Sequence, residues 1–232
     1  MKYFVGTSGW SYPAWNPTGR FDWYCKNSGL NAVELNASFY RFPFPSMVKS
    51  WAEKGGRISW SIKVNRLITH TYFFNQKSLA IWARFKKLFE PMDDLIDFYL
   101  FQMHPKSTPK IKKNLERFIK VAGLAERFAL EARHDEWFGD ENMRWAAELG
   151  ITFVSVDAPH LPTEVYNTSG RVYVRMHGRT NWYAHNYSCR ELEEKALKIK
   201  AARPKAAYIF FNNDLDMLAN ARQMLRILQK KA

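Results

Sequence analysis

Eight short apolar or alternating segments recur along the chain, and this recurrence constrains the fold more than any other feature. Their starts lie about thirty residues apart, the length of one strand-and-helix unit. Each has the length and the β-branched or aromatic content typical of a strand. The predicted strands are YFVGTS (3–8), AVELN (32–36), ISWSIKV (58–64), FYLFQ (98–102), FALEA (128–132), TFVSV (152–156), VYVR (172–175) and AYIFF (207–211).

Helical periodicity fills most of the connections between these strands. The predicted helices are SMVKSWAEK, SLAIWARFKKLF, residues 109–120, ENMRWAAEL, RELEEKALKIKAA and DLDMLANARQMLRILQKK. Strands that alternate with helices in this way indicate a parallel sheet with helices outside it. The exception is DAPHLPTEVYNTSG (157–170), which is too short and too interrupted by proline for a full helix.

Eight parallel strands close into a barrel more naturally than they form an open sheet, and neither GxGxxG nor GxxxxGK[ST] follows the first strand. We therefore predict an α/β fold, a TIM-like (β/α) barrel of eight parallel strands with an irregular connection between strands six and seven. The 232 residues suit one such barrel, which typically needs about 250. Because no linker or low-complexity run divides the chain, we expect residues 1–232 to form a single domain.

Composition limits the class of protein. With 47% hydrophobic and 16% aromatic residues, the chain can bury a large core. The sequence contains neither a signal-like start nor an apolar run of the roughly 20 residues that a membrane span needs, so we expect a cytoplasmic protein. Cys25 and Cys189 stand far apart without CxxC spacing, which predicts neither a disulfide framework nor a structural zinc site.

The chain is strongly basic, with 35 Lys and Arg against 22 Asp and Glu and a net charge of +13. Such an excess favours polyanionic partners, namely nucleic acid or a phosphate-bearing ligand. Much of the charge lies in residues 109–120 and 221–231, where helical spacing places it on an outer face. A solvated helix surface is the favoured interpretation there. No obligate protein partner and no membrane partner is indicated.

Side-chain parity predicts where a site lies, because alternate side chains on a barrel strand point inward. The parity that contains Glu34 collects polar groups near the C-terminal ends of the strands, where barrel enzymes build their sites. Structural ion pairs, Glu34 with Lys63 or Glu131 with Arg175, are the alternative, but buried pairs cost several kcal/mol of desolvation and so favour function. The predicted inward set is Gly6, Ser8, Glu34, Asn36, Ser59, Ser61, Lys63, Asn65, Gln102, Glu131, Arg133, Ser155, Asp157, Tyr173, Arg175, His177, Phe210 and Asn212.

Five of these residues are candidates for catalysis: Glu34, Lys63, Glu131, Asp157 and His177. His177 could serve as a general base, as a metal ligand or as a structural hydrogen-bonding residue. Lys63 could form a Schiff base if burial lowered its pKa, but the carboxylates expected nearby favour a charged, anion-binding group. Glu131 and Asp157 could also pair as acid and base in a glycosidase-like reaction.

The candidates for ligand binding are polar or aromatic residues of the same rim: Ser8, Trp10, Asn36, Tyr40, Gln102, Arg133, Arg175, Asn212 and Asn213. The rim aromatics, which also include Phe39, Trp182 and Tyr183, could stack on sugars or bases or simply pack the loops. The remaining histidines, at positions 70, 104, 134, 160 and 185, fall in predicted loops. We interpret them as surface or structural residues.

Seven motifs run from the first predicted strand to the last: GTSGWSYPAW, VELNASFYRFP, SIKVNRLITH, LFQMHP, LEARHDEWF, YVRMHGR and FFNND. In this order they resemble the signature segments of the domain of unknown function 72 (YecE-like) family. The resemblance implies a TIM-type barrel and no established activity. The sequence departs from the family pattern at Ala132, where an aromatic residue often stands, and in its short region between strands six and seven.

Two functions from different classes follow. The first is a phosphoester or nucleic-acid-directed hydrolase in which Lys63, Arg133 and Arg175 hold phosphate, while the carboxylates and His177 supply acid, base or ligands to one divalent metal ion. The second is a non-catalytic protein that binds nucleic acid or a phosphorylated metabolite. A glycosidase-like use of the carboxylates is a third hypothesis. One histidine and three carboxylates are too few to predict a multi-zinc centre.

Overall fold

The computed structural model describes residues 1–230, which form nine parallel strand segments and seven α-helices. The strands are β1 (Lys2–Ser8), β2 (Ala32–Leu35), β3 (Ser59–Lys63), β4 (Ile96–Gln102), β5 (Phe128–Glu131), β6 (Thr152–Phe153), β7 (Ser155–Asp157), β8 (Arg171–Met176) and β9 (Ala206–Phe211). The helices are α1 (Phe21–Asn27), α2 (Pro45–Lys54), α3 (Gln76–Phe89), α4 (Lys112–Ala122), α5 (Asp140–Glu148), α6 (Cys189–Ala201) and α7 (Met217–Gln229).

The sheet is a TIM-like barrel whose sixth strand is split. The spatial order is β6-β5-β4-β3-β2-β1-β9-β8-β7, so the two ends of the sheet are β6 and β7, which only Val154 separates in sequence. Its backbone N–H donates to the Leu130 carbonyl at 2.9 Å, and the next residue, Ser155, pairs with Val174 on β8. The predicted sixth strand therefore forms two segments, because its first part pairs with β5 and its second part with β8.

The predicted elements agree with the structure to within a few residues. The connection 157–170 contains no helix, as predicted. The short helix α1 is not among the predicted helices, because seven residues give too little periodicity to recognise. The predicted C-terminal helix begins with a 3₁₀ turn at Asp214–Asp216 and extends to Lys231, which lies outside the described residues. Within residues 1–230, no helix combines the length and the hydropathy that crossing a membrane requires.

The barrel encloses a small apolar core under a polar upper layer. Phe98 packs edge-to-face against Tyr208 and Tyr173, with ring centroids 4.8 and 5.0 Å apart. A larger apolar core lies between the strands and the surrounding helices. At Gly6, a Cβ atom would lie 2.2 Å from the Ala32 carbonyl oxygen, so the close approach of β1 to β2 requires glycine there.

The predicted parity is wrong on the sixth strand. Val154 and Val156 belong to the apolar core inside the barrel, so Ser155 and Asp157 point to the helix side. The physical reason is a partner remote in sequence, because the buried Lys195 of α6 reaches Asp157 with an N–O distance of 2.8 Å. Val154 and Val156 therefore fill the interior of the barrel, and the Asp157 carboxylate lies on the helix side, where Lys195 neutralises it.

Candidate functional site

Six ionisable side chains meet inside the barrel, where the C-terminal ends of the parallel strands converge. We call them the inner cluster: Glu34 on β2, Lys63 on β3, Glu131 on β5, Arg133 just after β5, Arg175 on β8 and His177 just after β8. Each is largely or wholly buried. The alternation of side chains along the strands brings them together, as the sequence predicted for these six.

Arg175 is the centre of the inner cluster. One of its terminal nitrogens donates to Glu34 Oε1 and the other to Glu131 Oε2, both at 2.6 Å. Of the two ion pairs considered as the structural alternative, the pair of Glu131 with Arg175 is present. The pair of Glu34 with Lys63 is not, because the planar fork of the Arg175 guanidinium reaches both carboxylates at once.

Neutral hydroxyls complete the partners of Glu34. Ser8 Oγ donates to Glu34 Oε1 and the Tyr173 hydroxyl donates to Glu34 Oε2, both at 2.6 Å. The Tyr173 hydroxyl also lies 2.7 Å from Ser61 Oγ. Ser8, a predicted binding residue, is thereby committed to holding a carboxylate. The floor of the site is a closed hydrogen-bond network that fixes Glu34 in one position.

Arg133 lies nearer the barrel mouth and caps the network. Its guanidinium lies 2.5 Å from Glu131 Oε1, donates to Gln102 Oε1 at 3.2 Å, and lies 3.2 Å from His177 Nε2. The other ring nitrogen of His177 lies 3.2 Å from the Asn212 side-chain amide. Both imidazole nitrogens therefore face a partner, and the role that this geometry gives His177 is to position Arg133.

The protonation states follow from these contacts. Burial, together with the positive charges of Arg133 and Arg175, lowers the pKa of His177 to about 3, so its ring is neutral at physiological pH. Burial alone would raise the pKa of the Glu131 carboxyl, but Arg133 and Arg175 hold it well below its usual range. An ionised Glu131 is a poor general acid, and a neutral His177 with both nitrogens engaged is a poor general base.

Lys63 differs from the other members of the cluster. It is 8% exposed, and its amine lies 4.3 Å from the centroid of the Phe39 ring. Among residues 1–230, no Asp or Glu oxygen lies within 4.0 Å of that amine. Burial, reinforced by the charge of Arg175, lowers the pKa of Lys63 to about 7. A substantial fraction of this amine is therefore unprotonated at neutral pH.

Aromatic rings wall the mouth above the cluster. The Arg133 guanidinium lies 4.7 Å from the centroid of the Trp182 ring, and His70 packs edge-on against Phe39 at 5.0 Å. Tyr40 is 70% exposed and meets Phe39 at 5.1 Å. The contact between Arg133 and Trp182 holds a charged group against a flat aromatic face, an arrangement that stabilises cations.

His70 is a site residue that the sequence reasoning missed. Burial, together with His104 and then Lys63, lowers the pKa of His70 to about 4, which keeps its ring neutral beside the mouth. Its Nδ1 lies 2.8 Å from Thr69 Oγ1. The residue lies in a π-helical turn, Leu67–Thr71, which the predicted loop did not reveal. The one signal for it was its position in the motif SIKVNRLITH.

A cavity of about 490 Å³ opens beside the cluster, at the ends of β1 and β2. Ser8 lines it, along with the predicted binding residues Trp10 and Asn36. Trp10 packs against Trp51 of α2 with ring centroids 5.5 Å apart. The walls of the cavity are mainly aromatic and apolar. None of the six ionisable residues of the inner cluster lines it.

Asp157 lies in a second network, between the barrel and α6. We call this network the outer cluster: Asp157, Arg179, Tyr187, Glu194 and Lys195. Lys195 lies 2.8 Å from Asp157 Oδ2 and donates to the Thr163 carbonyl at 2.7 Å, while Arg179 lies 3.3 Å from Asp157 Oδ1. Asp157 therefore faces α6 and does not join Glu131, the carboxylate with which the glycosidase-like hypothesis paired it.

Asn213 is also placed away from the mouth. Its amide donates to the His185 carbonyl at 2.7 Å and to Asn220 Oδ1 at 2.8 Å. These bonds attach the loop after β9 to α7. The side-chain amide nitrogen of this predicted binding residue is therefore engaged within the fold.

A resident divalent metal ion does not fit this site. In the described chain, residues 1–230, no group of three His, Cys, Asp or Glu side chains comes together in a way that could hold a metal ion. Three of the four carboxylate oxygens of Glu34 and Glu131 lie 2.6 Å or less from a guanidinium nitrogen. These guanidiniums compete with a metal ion for the same oxygens, so we derive no step through a metal.

Comparisons with known proteins agree with this architecture. Residues 4–232 match the family model "Protein of unknown function DUF72". Two crystal structures of DUF72 family proteins superpose well. One, from Enterococcus faecalis V583, is 20% identical with a TM-score of 0.84 over 99% of this chain and 96% of that one. The other, from Thermotoga maritima MSB8, is 25% identical with a TM-score of 0.83 over 99% and 100%.

More distant barrels share the fold alone. A D-psicose 3-epimerase is 12% identical and has a TM-score of 0.58, covering 99% of this chain and 100% of that one. No curated protein matches the sequence. The predicted family and the TIM-like barrel are thus both confirmed.

Proposed function

The chain belongs to the DUF72 family, and we propose that the mouth of its barrel binds a small phosphate-bearing metabolite. The charge balance of the inner cluster is the observation that carries this proposal. The carboxylates of Glu34 and Glu131 face the guanidiniums of Arg133 and Arg175, which leaves the Lys63 amine without an acidic partner. A ligand anion would supply the missing negative charge, since a buried cation is stable only when it is paired.

The accessibility of the site supports a small ligand. Lys63 is 8% exposed and His177 is fully buried, so only a compact group can approach the amine from the mouth. A nucleic-acid duplex, whose phosphates lie on a broad convex surface, does not fit such a recess. The large basic excess of the chain lies mainly on the outer helices, where it contributes a general attraction for anions rather than a specific contact.

Binding is better supported than hydrolysis, because the groups best suited to activate water are engaged elsewhere. Glu131 is held by two guanidiniums, His177 has both nitrogens engaged, and Asp157 faces α6. Phosphoester hydrolysis is our second candidate function. The observation in its favour is the neutral ring of His70 near Lys63, which could accept a proton from water.

Calorimetric titration with inorganic phosphate tests the proposal. We expect Lys63→Met to weaken phosphate binding about tenfold, because it removes a positive charge from a poorly hydrated site. Lys63→Arg keeps the charge and should keep most of the affinity. Glu131→Gln removes a negative charge and should leave binding intact or tighter. Lys120→Met, at an exposed position of α4, is the control.

A panel of phosphate monoesters and short single-stranded DNA and RNA separates the two candidates. Turnover that Glu131→Gln abolishes would establish a hydrolase and displace the binding proposal. Phosphate affinity that is equal in wild type and Lys63→Met would show that the mouth is not the anion site.

A further inference from the structure

Lys63 has a chemical property that anion binding does not use. We propose that the Lys63 amine is a nucleophile that forms a Schiff base with the aldehyde or ketone group of a phosphorylated carbonyl compound bound at the barrel mouth. This inference rests on the proposed function, because the protonated form of Lys63 would draw the phosphate-bearing compound to the mouth and the unprotonated form of the same amine would then attack its carbonyl group. It adds a substrate class and a covalent step.

The surroundings of the amine favour its unprotonated form. The side chain enters the cluster from the end of β3, lies over the Phe39 ring, and is 8% exposed. Burial disfavours its ammonium form most strongly and Arg175 adds to this, whereas Glu131, Glu34 and the Phe39 ring favour the charged form. An ordinary lysine, with a pKa of about 10.4, is less than about 0.1% unprotonated at pH 7. Because the pKa of Lys63 is about 7, far more of it is available as a nucleophile.

Lys195 shows that burial alone does not create a reactive lysine. It is fully buried, and burial lowers its pKa as well. Its ammonium, however, lies 2.8 Å from the Asp157 carboxylate and donates to the Thr163 carbonyl at 2.7 Å. The proton is held there, and no ligand can approach. Lys63 combines burial with a residual exposure of 8% and has no carboxylate within 4.0 Å, so its proton is not held in the same way.

The covalent step is a condensation. The Lys63 nitrogen attacks the carbonyl carbon, and the π electrons of the carbonyl group move to its oxygen. A proton passes from nitrogen to that oxygen, through solvent or through the neutral ring of His70, to give a carbinolamine. Loss of one water molecule then gives the imine. One amine and one carbonyl group become one imine and one water, so no oxidant or reductant is consumed.

Reductive trapping tests the inference. The full chain is incubated with glyceraldehyde 3-phosphate and sodium cyanoborohydride, which delivers hydride to the imine carbon and leaves a stable secondary amine. Peptide mass spectrometry then measures modification at each lysine. We expect Lys63 to be modified at least tenfold faster than the exposed lysines, and we expect glyceraldehyde, which lacks the phosphate, to react at least tenfold more slowly at Lys63.

Two variants distinguish loss of the Schiff base from loss of folding and from loss of phosphate binding. Lys63→Arg should lose the fast adduct while it keeps inorganic phosphate binding and a cooperative unfolding transition. Lys120→Met should keep both the adduct and the binding. Between pH 6 and pH 9, trapping at Lys63 should level off above pH 7, whereas trapping at exposed lysines should continue to rise.

The outcomes separate the two proposals. Equal modification of Lys63 and of the exposed lysines, with phosphate binding intact, overturns the Schiff base and leaves the binding proposal standing. If wild-type protein neither binds inorganic phosphate nor distinguishes the two aldehydes, both proposals fail.

Discussion

The inner and outer clusters are built from the same residue types, and they differ in charge balance and access. In the outer cluster, Arg179 and Lys195 face two carboxylates, Asp157 and Glu194, and the Tyr187 hydroxyl donates to Asp157 at 3.0 Å. The inner cluster has two carboxylates for two guanidiniums and one additional amine. Buried charge by itself therefore does not identify a site, and the proposed site rests on the buried Lys63 amine, which has no carboxylate within 4.0 Å.

The largest expected effect comes from removing the central residue of the inner cluster. Arg175→Met leaves Glu34 and Glu131 buried without their shared guanidinium, so the free energy of unfolding should fall by about 3–5 kcal/mol. Arg179→Met in the outer cluster should cost only about 1 kcal/mol, because Asp157 keeps Lys195 and Arg179 is partly exposed. Urea titration of both variants measures the difference. If both variants lost the same free energy of unfolding, the inner cluster would depend on Arg175 no more than the outer cluster depends on Arg179.

The two buried lysines should respond in opposite directions. Lys195→Met removes the closest partner of Asp157 and should lower the free energy of unfolding by about 3 kcal/mol. Lys63→Met removes a buried amine that has no carboxylate partner and should leave stability unchanged or raise it by about 1 kcal/mol, because site residues are often kept at a cost in stability. Thermal and urea unfolding of both variants tests this. If Lys63→Met lowered the free energy of unfolding as much as Lys195→Met does, the two lysines would not differ in their contribution to stability.

Acid should destabilise the protein through the inner cluster. The unfolded chain protonates His177 below about pH 6.5, whereas the folded protein, in which the pKa of this ring is about 3, does not. Stability is therefore lost as pH falls from 6.5, by up to about 1.4 kcal/mol per pH unit for one proton. The lowered pKa of Glu131 adds a loss in the same direction below its unfolded value.

His177→Asn, which keeps polar groups towards Arg133 and Asn212, should reduce the slope of the profile between pH 6.5 and pH 5, while His70, whose pKa is about 4, keeps its own contribution. Denaturation midpoints measured at half-unit steps decide the matter. An unchanged slope in this variant would assign the acid sensitivity to other groups.

The smallest expected effect concerns the wall of the mouth. Trp182→Ala removes the ring against which the Arg133 guanidinium lies, a contact of about 0.5–1 kcal/mol, and phosphate affinity should fall by the corresponding two- to fivefold. Trp145→Ala removes a similar contact with Lys112 at 5.4 Å, far from the cluster, and should leave phosphate affinity unchanged. Parallel titrations compare the two. Equal affinities in both variants would remove Trp182 from the site.

The comparison also shows how far sequence reasoning reaches. The positions of Glu34, Glu131 and Arg175 follow from strand periodicity, because each side chain belongs to a strand long enough to fix its parity. The pairing among them does not follow. The sequence offered Glu34 with Lys63 only as the structural alternative, whereas Arg175 takes both carboxylates and leaves Lys63 without one.

Asp157 and His70 mark the limits for different reasons. The sixth strand is short and changes its paired strand at Val154, so the sequence pattern determines its side-chain parity poorly. The residue that pairs with Asp157, Lys195, belongs to a helix remote in sequence. His70 depends on a single π-helical turn, a conformation with no reliable residue pattern. Local periodicity predicts elements, but contacts between remote elements decide partners.

The split sixth strand gives the ion pair between Glu131 and Arg175 a second role, in the closure of the barrel. Only two register pairs join β5 to β6 and three join β7 to β8, whereas six join β1 to β9. The barrel thus has a seam at strand six, where the ladder between β5 and β6 is the shortest in the described sheet. Glu131 on β5 and Arg175 on β8 stand on either side of that seam, and their 2.6 Å bond crosses it. The ion pair that positions Arg175 at the mouth therefore also adds a side-chain link to the backbone pairs that close the barrel there.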